Sequence, residues 1–136
     1  MTNTIPDIIQ QALTGEQLAM LQRLCETYEA IPILMLFEQV HGRYRELKQA
    51  QAAGEAVNIR MAGAIFSALK AVVEKWNHID ADRQYWLKGA LGYFISDDDE
   101  VGDFDSEAGF MDDLEIVNAC LRNADLADLV IDPFAY

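Results

Sequence analysis

The amino-acid sequence predicts an all-helical protein, a compact single-domain bundle of about five helices with an acidic loop before the last helix. Apolar residues recur at helical spacing along most of the 136 residues. Hydrophobic residues make up 51% of the chain, so a chain of this length can bury a substantial core. No segment alternates apolar and polar residues between turn signals, as a β-strand would.

The predicted helices begin at residues that commonly cap helices. In chain order these are Thr14, which has a capping-box partner at Gln17, and then Asn58 and Asp80. Pro32 is expected in the first turn of its helix, which Gly54 would end. The last helix is predicted to begin near residues 109–112 and to end before Pro133.

The charged residues are distributed unevenly along the chain. The net charge is −13, from 10 Lys+Arg and 23 Asp+Glu. Residues 93–136 hold thirteen of the acidic residues and one basic residue, Arg122, whereas residues 1–92 are nearly neutral. A field of one sign repels phosphate backbones and anionic lipids. We therefore expect no nucleic-acid binding and a cationic partner, either a basic protein or a metal ion.

The sequence also predicts a cytoplasmic protein without a membrane span. The N-terminus lacks the basic and apolar regions of a signal peptide, and no apolar run approaches the ~20 residues of a membrane helix. Cys25 and Cys120 fall within apolar helical patterns, which is typical of buried free thiols. The apolar stretch 31–37 fits either the core or a dimer face, so the oligomeric state stays open.

The acidic segment 96–115 is the candidate binding site. Seven carboxylates lie within twelve of its residues. They are Asp97, Asp98, Asp99, Glu100, Asp103, Asp105 and Glu107. Like charges this close are unfavourable unless a cation or a basic partner offsets them. We therefore predict that these seven side chains bind the partner.

Oxygen ligands of this kind also suit Ca²⁺ or Mg²⁺. A calcium-binding helix–loop–helix pattern that starts at Asp97 has Val101 at its fifth position and Ala108 at its twelfth, where a bidentate glutamate is required. A standard calcium loop is thereby excluded, and an irregular cation site remains as an alternative.

Catalytic motifs are not found in the sequence. Gly89-Ala90-Leu91-Gly92 lacks the spacing of a nucleotide-binding loop and falls inside a predicted helix. His41 and His78 have no metal ligand three or four residues further on. Paired aspartates can perform acid–base chemistry, but they need a pocket that raises the pKa of one of them. We expect a non-enzymatic protein that needs no cofactor.

Residues 90–123 contain a motif with fixed spacing. It consists of Tyr93-Phe94-Ile95-Ser96, Asp99, Asp103-Phe104 and Gly109-Phe110-Met111-Asp112-Asp113. This motif resembles the core of the YkvA-like family, a domain of unknown function. The resemblance implies a helix–loop–helix unit and structural or metal-ligating roles for Asp99, Asp103, Asp112 and Asp113. If the loop folds back on the last helix, Gly109 would supply the unusual backbone angle at the corner. The resemblance implies no reaction.

The sequence departs from that family's pattern in a consistent direction. Asp97 stands where the family has proline, and Glu100-Val101-Gly102 stands for Leu-Ile-Pro. Charged and small residues at 105–108 replace an apolar stretch. These replacements favour a partner-facing surface over the membrane association implied for many family members.

Two functions therefore follow from the sequence as hypotheses. The first is a non-enzymatic acidic protein that docks on a basic protein, with an inhibitor, immunity protein or antitoxin as its more specific form. The alternative is a Ca²⁺- or Mg²⁺-binding protein that uses the carboxylates of residues 97–113. For Asp112 and Asp113, a simpler interpretation is that they stabilise the positive end of the last helix.

Overall fold

The all-helical prediction is confirmed. The computed structural model describes residues 4–96 and 111–132. These residues form the helices α1 (Asp7–Ala12), α2 (Gly15–Tyr28), α3 (Ile33–Ala52), α4 (Ile59–Glu74), α5 (Ala81–Ile95) and α6 (Met111–Asn123). Short 3-10 turns follow α4 (Trp76–His78) and α6 (Ala127–Leu129), and the described ranges contain no strand.

The predicted N-terminal caps are present in the structure. The Thr14 hydroxyl accepts a hydrogen bond from the Gln17 backbone N–H, and the Gln17 side chain accepts one from the Thr14 N–H, which completes the capping box. The side chains of Asn58 and Asp80 accept hydrogen bonds from the third residues of α4 and α5. Pro32 lies one position earlier than predicted, at the N-cap of α3 and not in its first turn.

Helices α3 and α6 end with the same hydrogen-bond pattern. At the end of α3, Gly54 has a φ of +96° and the next N–H, from Glu55, donates to the Ala50 carbonyl. At the end of α6, Asp125 has a φ of +63° and the N–H of the following residue donates to the Leu121 carbonyl. This pattern is the Schellman motif, which satisfies carbonyls at a helix end. It ends α6 at Asn123, earlier than the sequence predicts.

Helix α1 is additional to the five predicted helices. It is six residues long, too short to show a helical period in the sequence, and it follows Pro6. Its Ile9 side chain is fully buried, and the helix packs against α6. Ile9, together with the buried Leu13 and the partly buried Ile5, therefore attaches the N-terminal segment to the bundle.

A continuous hydrophobic core joins all six helices, with α5 at its centre. Helix α5 packs against α2, α3 and α6, while α4 packs mainly on α3. Most of the largest fully buried side chains are leucines and isoleucines, joined by Phe94 of α5. None of the described helices is both long enough and apolar enough to cross a lipid bilayer.

Two glycines of α5 set the distance between α5 and α2. A Cβ atom at Gly89 would overlap Cys25 Sγ and would lie 2.8 Å from Leu21 Cδ1. A Cβ atom at Gly92 would lie 2.5 Å from the Tyr28 ring. Since real Cβ atoms do not approach other atoms so closely, a larger residue at Gly89 would press on both side chains and backbone of α2, and one at Gly92 would displace the Tyr28 ring. The Gly89–Gly92 segment, which lies inside a helix as predicted, is a packing element.

Candidate functional site

The candidate site lies where the acidic segment meets the N-terminus of α6. Helix α5 ends at Ile95, helix α6 begins at Met111, and the two helices pack against each other. Asp112 and Asp113 are the predicted site residues that the structure describes. The others lie outside the described residues, namely Asp97, Asp98, Asp99, Glu100, Asp103, Asp105, Glu107 and Gly109.

Asp112 is held at the surface by a residue from the start of α2. Gln17 Nε2 donates hydrogen bonds to Asp112 Oδ1, at 3.0 Å, and to Glu115 Oε2, at 2.8 Å. Asp112 and Glu115 are both exposed, whereas Gln17 is only 8% exposed. Two surface carboxylates therefore converge on one buried amide group.

The orientation of the Gln17 amide is fixed by its second role. Its oxygen, Oε1, accepts the Thr14 backbone N–H at 2.9 Å as part of the capping box. An N–H donor requires an oxygen acceptor, so Nε2 must be the atom that faces the carboxylates. Gln17 consequently acts as a donor to Asp112 and Glu115, and offers no oxygen that could ligate a cation beside them.

Asp113 lies in a different environment from Asp112. Its side chain has no exposed surface, and it is adjacent in sequence to the buried Leu114. Successive helical residues are rotated by about 100°, so Asp112 faces solvent while Asp113 faces the protein interior. A buried carboxylate requires donors or positive charge around it, and Asp113 does have interacting groups in the folded chain.

The described part of the chain does not by itself contain a metal centre. No group of three or more His, Cys, Asp or Glu side chains that could hold a metal ion occurs within residues 4–96 and 111–132. Asp112 and Glu115 supply two carboxylates, and a Ca²⁺ or Mg²⁺ ion takes six or more oxygens. A Ca²⁺ site here would therefore need further protein ligands, for which the predicted Asp99 and Asp103 are candidates, whereas Mg²⁺ can complete its shell with water.

The two thiols are buried and unreactive. Cys25 has no exposed surface, and burial raises the pKa of its thiol to about 12. Cys120 donates to the Trp86 carbonyl at 3.5 Å, and burial raises the pKa of this thiol as well. Both thiols are protonated at neutral pH and so are poor nucleophiles. They are core residues, as their helical spacing predicts.

The two histidines lie on other elements than Asp112 and Glu115. His41 is exposed on α3, and His78 is exposed in the turn that follows α4.

The apolar stretch 31–37 divides between core and surface: Leu36 is fully buried, whereas Leu34 and Met35 are 70% and 58% exposed. Helix α3 therefore presents exposed apolar side chains, Leu34 and Met35, to solvent.

Gln17 is a site residue that the sequence does not reveal, and Glu115 enters the sequence prediction only as the last residue of the acidic segment 96–115. Gln17 has a clear local role in the capping box, and nothing in that motif indicates a partner 95 residues further along the chain. Glu115 lies three residues after Asp112, so the two share a helical face once α6 is placed at Met111. That spacing is the signal that could have identified Glu115.

Comparisons of the chain with protein-family models, with curated proteins and with solved structures found no match. The resemblance to the YkvA-like family therefore stays a prediction from the motif of residues 93–113.

Proposed function

We propose that this protein is a non-enzymatic interaction protein whose acidic end, residues 96–115, docks on a basic surface of another protein. The observation that carries the proposal is the segregation of charge. Residues 93–136 contain thirteen acidic residues and one basic residue, while the rest of the chain is close to neutral. Such a field attracts basic surfaces over long distances and accelerates association with them.

The described carboxylates at this end are available to a cationic partner. Asp112 and Glu115 are exposed, and within the described residues their hydrogen-bond donor is the neutral amide of Gln17. Neither carboxylate forms an ion pair with a described lysine or arginine. Each carboxylate has several acceptor positions, so both retain lone pairs for an incoming Arg or Lys.

The first turn of α6 presents these carboxylates from a rigid base. The residues around them, Leu114, Ile116 and Val117, are buried in the core. Gln17 Nε2 donates a hydrogen bond to each of the two acidic side chains. Rigid groups lose less conformational entropy on binding than mobile ones. This arrangement supports specific docking over diffuse attraction.

Inhibition is the more specific form of this function that we propose. A small acidic domain suits a basic target, such as a nuclease-type toxin, because opposite charges steer rapid encounter. An immunity protein or antitoxin needs such speed, and it needs no catalytic group of its own.

The test is a comparison of two neutralised variants with equal net charge. In the first, Asp97, Asp98, Asp103 and Asp105 are changed to asparagine. In the matched control, the exposed Glu26, Glu38, Glu55 and Glu74 are changed to glutamine. We expect basic proteins captured by the wild type to be lost by the first variant, kept by the control, and released by salt. Equal capture by both variants, or capture insensitive to salt, contradicts the proposal.

A divalent-cation site is the alternative, and the proximity of two exposed carboxylates, Asp112 and Glu115, beside the acidic sequence 97–107 supports it. A cation bound only by the folded state would raise the melting temperature. Melts in EDTA, Ca²⁺ and Mg²⁺ at matched ionic strength test this, together with Asp99→Asn and Asp112→Asn. An ion-specific rise that both variants abolish would support a site, and equal melts in all three conditions would reject it.

A further inference from the structure

Helix α3 carries a stripe of aromatic residues on the side that does not face α5. Phe37, His41, Tyr44 and Lys48 follow Leu34 at alternating intervals of three and four residues, which places all five on one helical face. The core side of α3 is separate and consists of Leu36, Val40, Arg43 and Leu47. We call the stripe, together with Met35, Arg45 and the α4 residues Phe66 and Lys70, the outer α3–α4 face.

The aromatic rings of this face stack on one another. Phe66 of α4 stacks with Tyr44 at 4.6 Å between ring centroids and with Phe37 at 5.7 Å, and the His41 ring lies 5.6 Å away. Lys48 Nζ lies 4.9 Å from the centroid of the Tyr44 ring. The stack joins α3 to α4 and gives the face a fixed shape.

Aliphatic side chains extend this face into solvent. Leu34 is 70% exposed and Met35 is 58% exposed, and Leu34 lies one turn before the half-buried Phe37. Isolated exposed leucines are common, but an apolar group that continues into an aromatic cluster is a candidate interaction surface. Methionine adapts its shape to different partners.

The charge around the outer α3–α4 face is opposite to that of the chain as a whole. Residues 33–75 hold six basic and four acidic residues, a net charge of +2 in a protein of −13. Arg45, Lys48 and Lys70 are exposed. Lys70 lies one turn after Phe66, beside the ring stack. Exposed cations therefore border the ring stack at Tyr44 and Phe66, while one acid, the exposed Glu38, lies one turn after Leu34 and Met35.

We propose that the outer α3–α4 face is a second docking surface, which binds an amphipathic helix of a partner protein with apolar residues on one side and acidic residues beside them. Leu34, Met35 and the edges of the ring stack would take the apolar side, and the bordering cations would pair with the acidic residues. From Leu34 to Lys48 the stripe covers four turns of α3, which matches a partner helix of similar length.

The ring arrangement favours a peptide over a nucleic acid. Single-stranded nucleic acids bind aromatic platforms through free ring faces on which bases stack. Here Phe66 stacks with both Tyr44 and Phe37, and Lys48 Nζ lies over the Tyr44 ring, so these rings already have stacking partners. What the face offers instead is aliphatic surface and ring edges.

The test uses two synthetic helical peptides with the same leucine stripe, one with glutamates and one with lysines on its remaining positions. Amide chemical shifts of the ¹⁵N-labelled protein report where each peptide binds. We expect the glutamate peptide to shift resonances of α3 and α4, and the lysine peptide to leave them unchanged. Lys48→Glu with Lys70→Glu should weaken binding of the glutamate peptide about tenfold, since each exposed pair contributes modestly. Leu34→Ser with Met35→Ser should weaken it similarly.

Arg23→Glu with Arg122→Glu is the matched control, because these exposed residues lie on α2 and α6 and their change alters the net charge equally. It should leave the shifts on α3 and α4 intact. The proposal is overturned if the glutamate peptide shifts no resonance of this face, if a single-stranded oligonucleotide binds there more tightly, or if the control weakens binding as much as the test variants. Self-association that Leu34→Ser abolishes would assign the face to a second copy of the chain and would also overturn it.

Discussion

Gln17 Nε2 lies 3.0 Å from Asp112 Oδ1 and joins the first turn of α2 to the first turn of α6. The same side chain completes the capping box with Thr14, so one glutamine stabilises a helix start and positions an acidic surface. Because Gln17 is 8% exposed while both carboxylates are exposed, these hydrogen bonds are partly shielded from water. The local fold of α2 and the geometry of the candidate site therefore depend on one residue.

Replacing Gln17 with glutamate should destabilise the protein. The new carboxylate would face Asp112 and Glu115 without a proton to donate, and we expect a loss of roughly 2 kcal/mol in the free energy of unfolding. Chemical denaturation measures this loss, which should shrink as salt screens the repulsion. Gln49→Glu, an exposed change on α3, should have little effect. A Gln17→Glu protein as stable as the wild type at low salt would contradict the role given to this amide.

Asn118 anchors the segment that follows α6. Its side-chain Nδ2 donates to the Ile131 carbonyl at 2.9 Å, and its Oδ1 accepts the Ile131 N–H at 2.8 Å, all in a buried position. Asn118→Ala would leave both backbone groups unpaired and should cost roughly 2–4 kcal/mol. Hydrogen exchange of the Ile131 amide should accelerate strongly, while exposed Asn77→Ala leaves it unchanged. An unchanged exchange rate in Asn118→Ala would show that other contacts hold this segment.

Gly89→Ala should separate α2 from α5. The added methyl group would overlap Cys25 Sγ and press on Leu21, and overpacking of this kind should cost roughly 2–3 kcal/mol. The double variant with Cys25→Ala removes the sulfur and should recover part of the loss, since neighbouring substitutions are not additive. Gly42→Ala is the control, because its Cβ meets no described atom within 4 Å, and it should stabilise α3 by up to about 1 kcal/mol. Strict additivity of the Gly89 and Cys25 changes would argue against this contact.

The buried thiols predict a loss of stability in alkaline solution. Burial raises the pKa of Cys25 from 9.0 to about 12, so between these values the folded protein keeps a proton that the unfolded chain releases. The stabilisation is complete below pH 9 and is lost as the pH rises toward 12. Unfolding free energies measured across this range should fall less steeply for Cys25→Ala than for the wild type. Parallel curves would mean that the thiol titrates in the same way in both states.

The parts of the fold that depend on local chemistry could be predicted from the sequence. The capping box at Thr14, the N-caps at Asn58 and Asp80, and the left-handed Gly54 each follow from residues within one turn of chain. Helix α1 could not be predicted, because six residues show no period and its stability comes from burying Ile9 against distant α6. Its existence is a tertiary effect.

The candidate site could be predicted only in outline. Clustered charge identified the acidic end, because composition alone shows where carboxylates concentrate. The opposite environments of Asp112 and Asp113 depend on how α6 is rotated against the core, which charge patterns do not determine. The role of Gln17 at the site could not be predicted for a similar reason. Its partners are 95 and 98 residues away, and the capping box already explains why a glutamine occurs at this position.

Asp125 is a position where a substitution should increase the stability of the protein. Its φ of +63° lies in the left-handed region, which costs a residue with a side chain about 1 kcal/mol relative to glycine. Its negative charge also lies at the C-terminal end of α6, where the helix dipole is unfavourable for an acid. Asp125→Gly should therefore raise the unfolding free energy by about 1 kcal/mol and the melting temperature by a few degrees.

Asp125→Asn separates the two causes, because asparagine removes the charge and tolerates the left-handed conformation at least as well as aspartate does. If conformation dominates, glycine should stabilise the protein more than asparagine does, and the difference should persist at high salt. If charge dominates, both changes should stabilise equally and both gains should fade with salt. The hydrogen bond from Leu126 N–H to the Leu121 carbonyl requires the left-handed residue in either case. Asp125→Val should therefore destabilise the protein, because a β-branched side chain resists that conformation, and a valine variant as stable as the wild type would disprove the Schellman ending of α6.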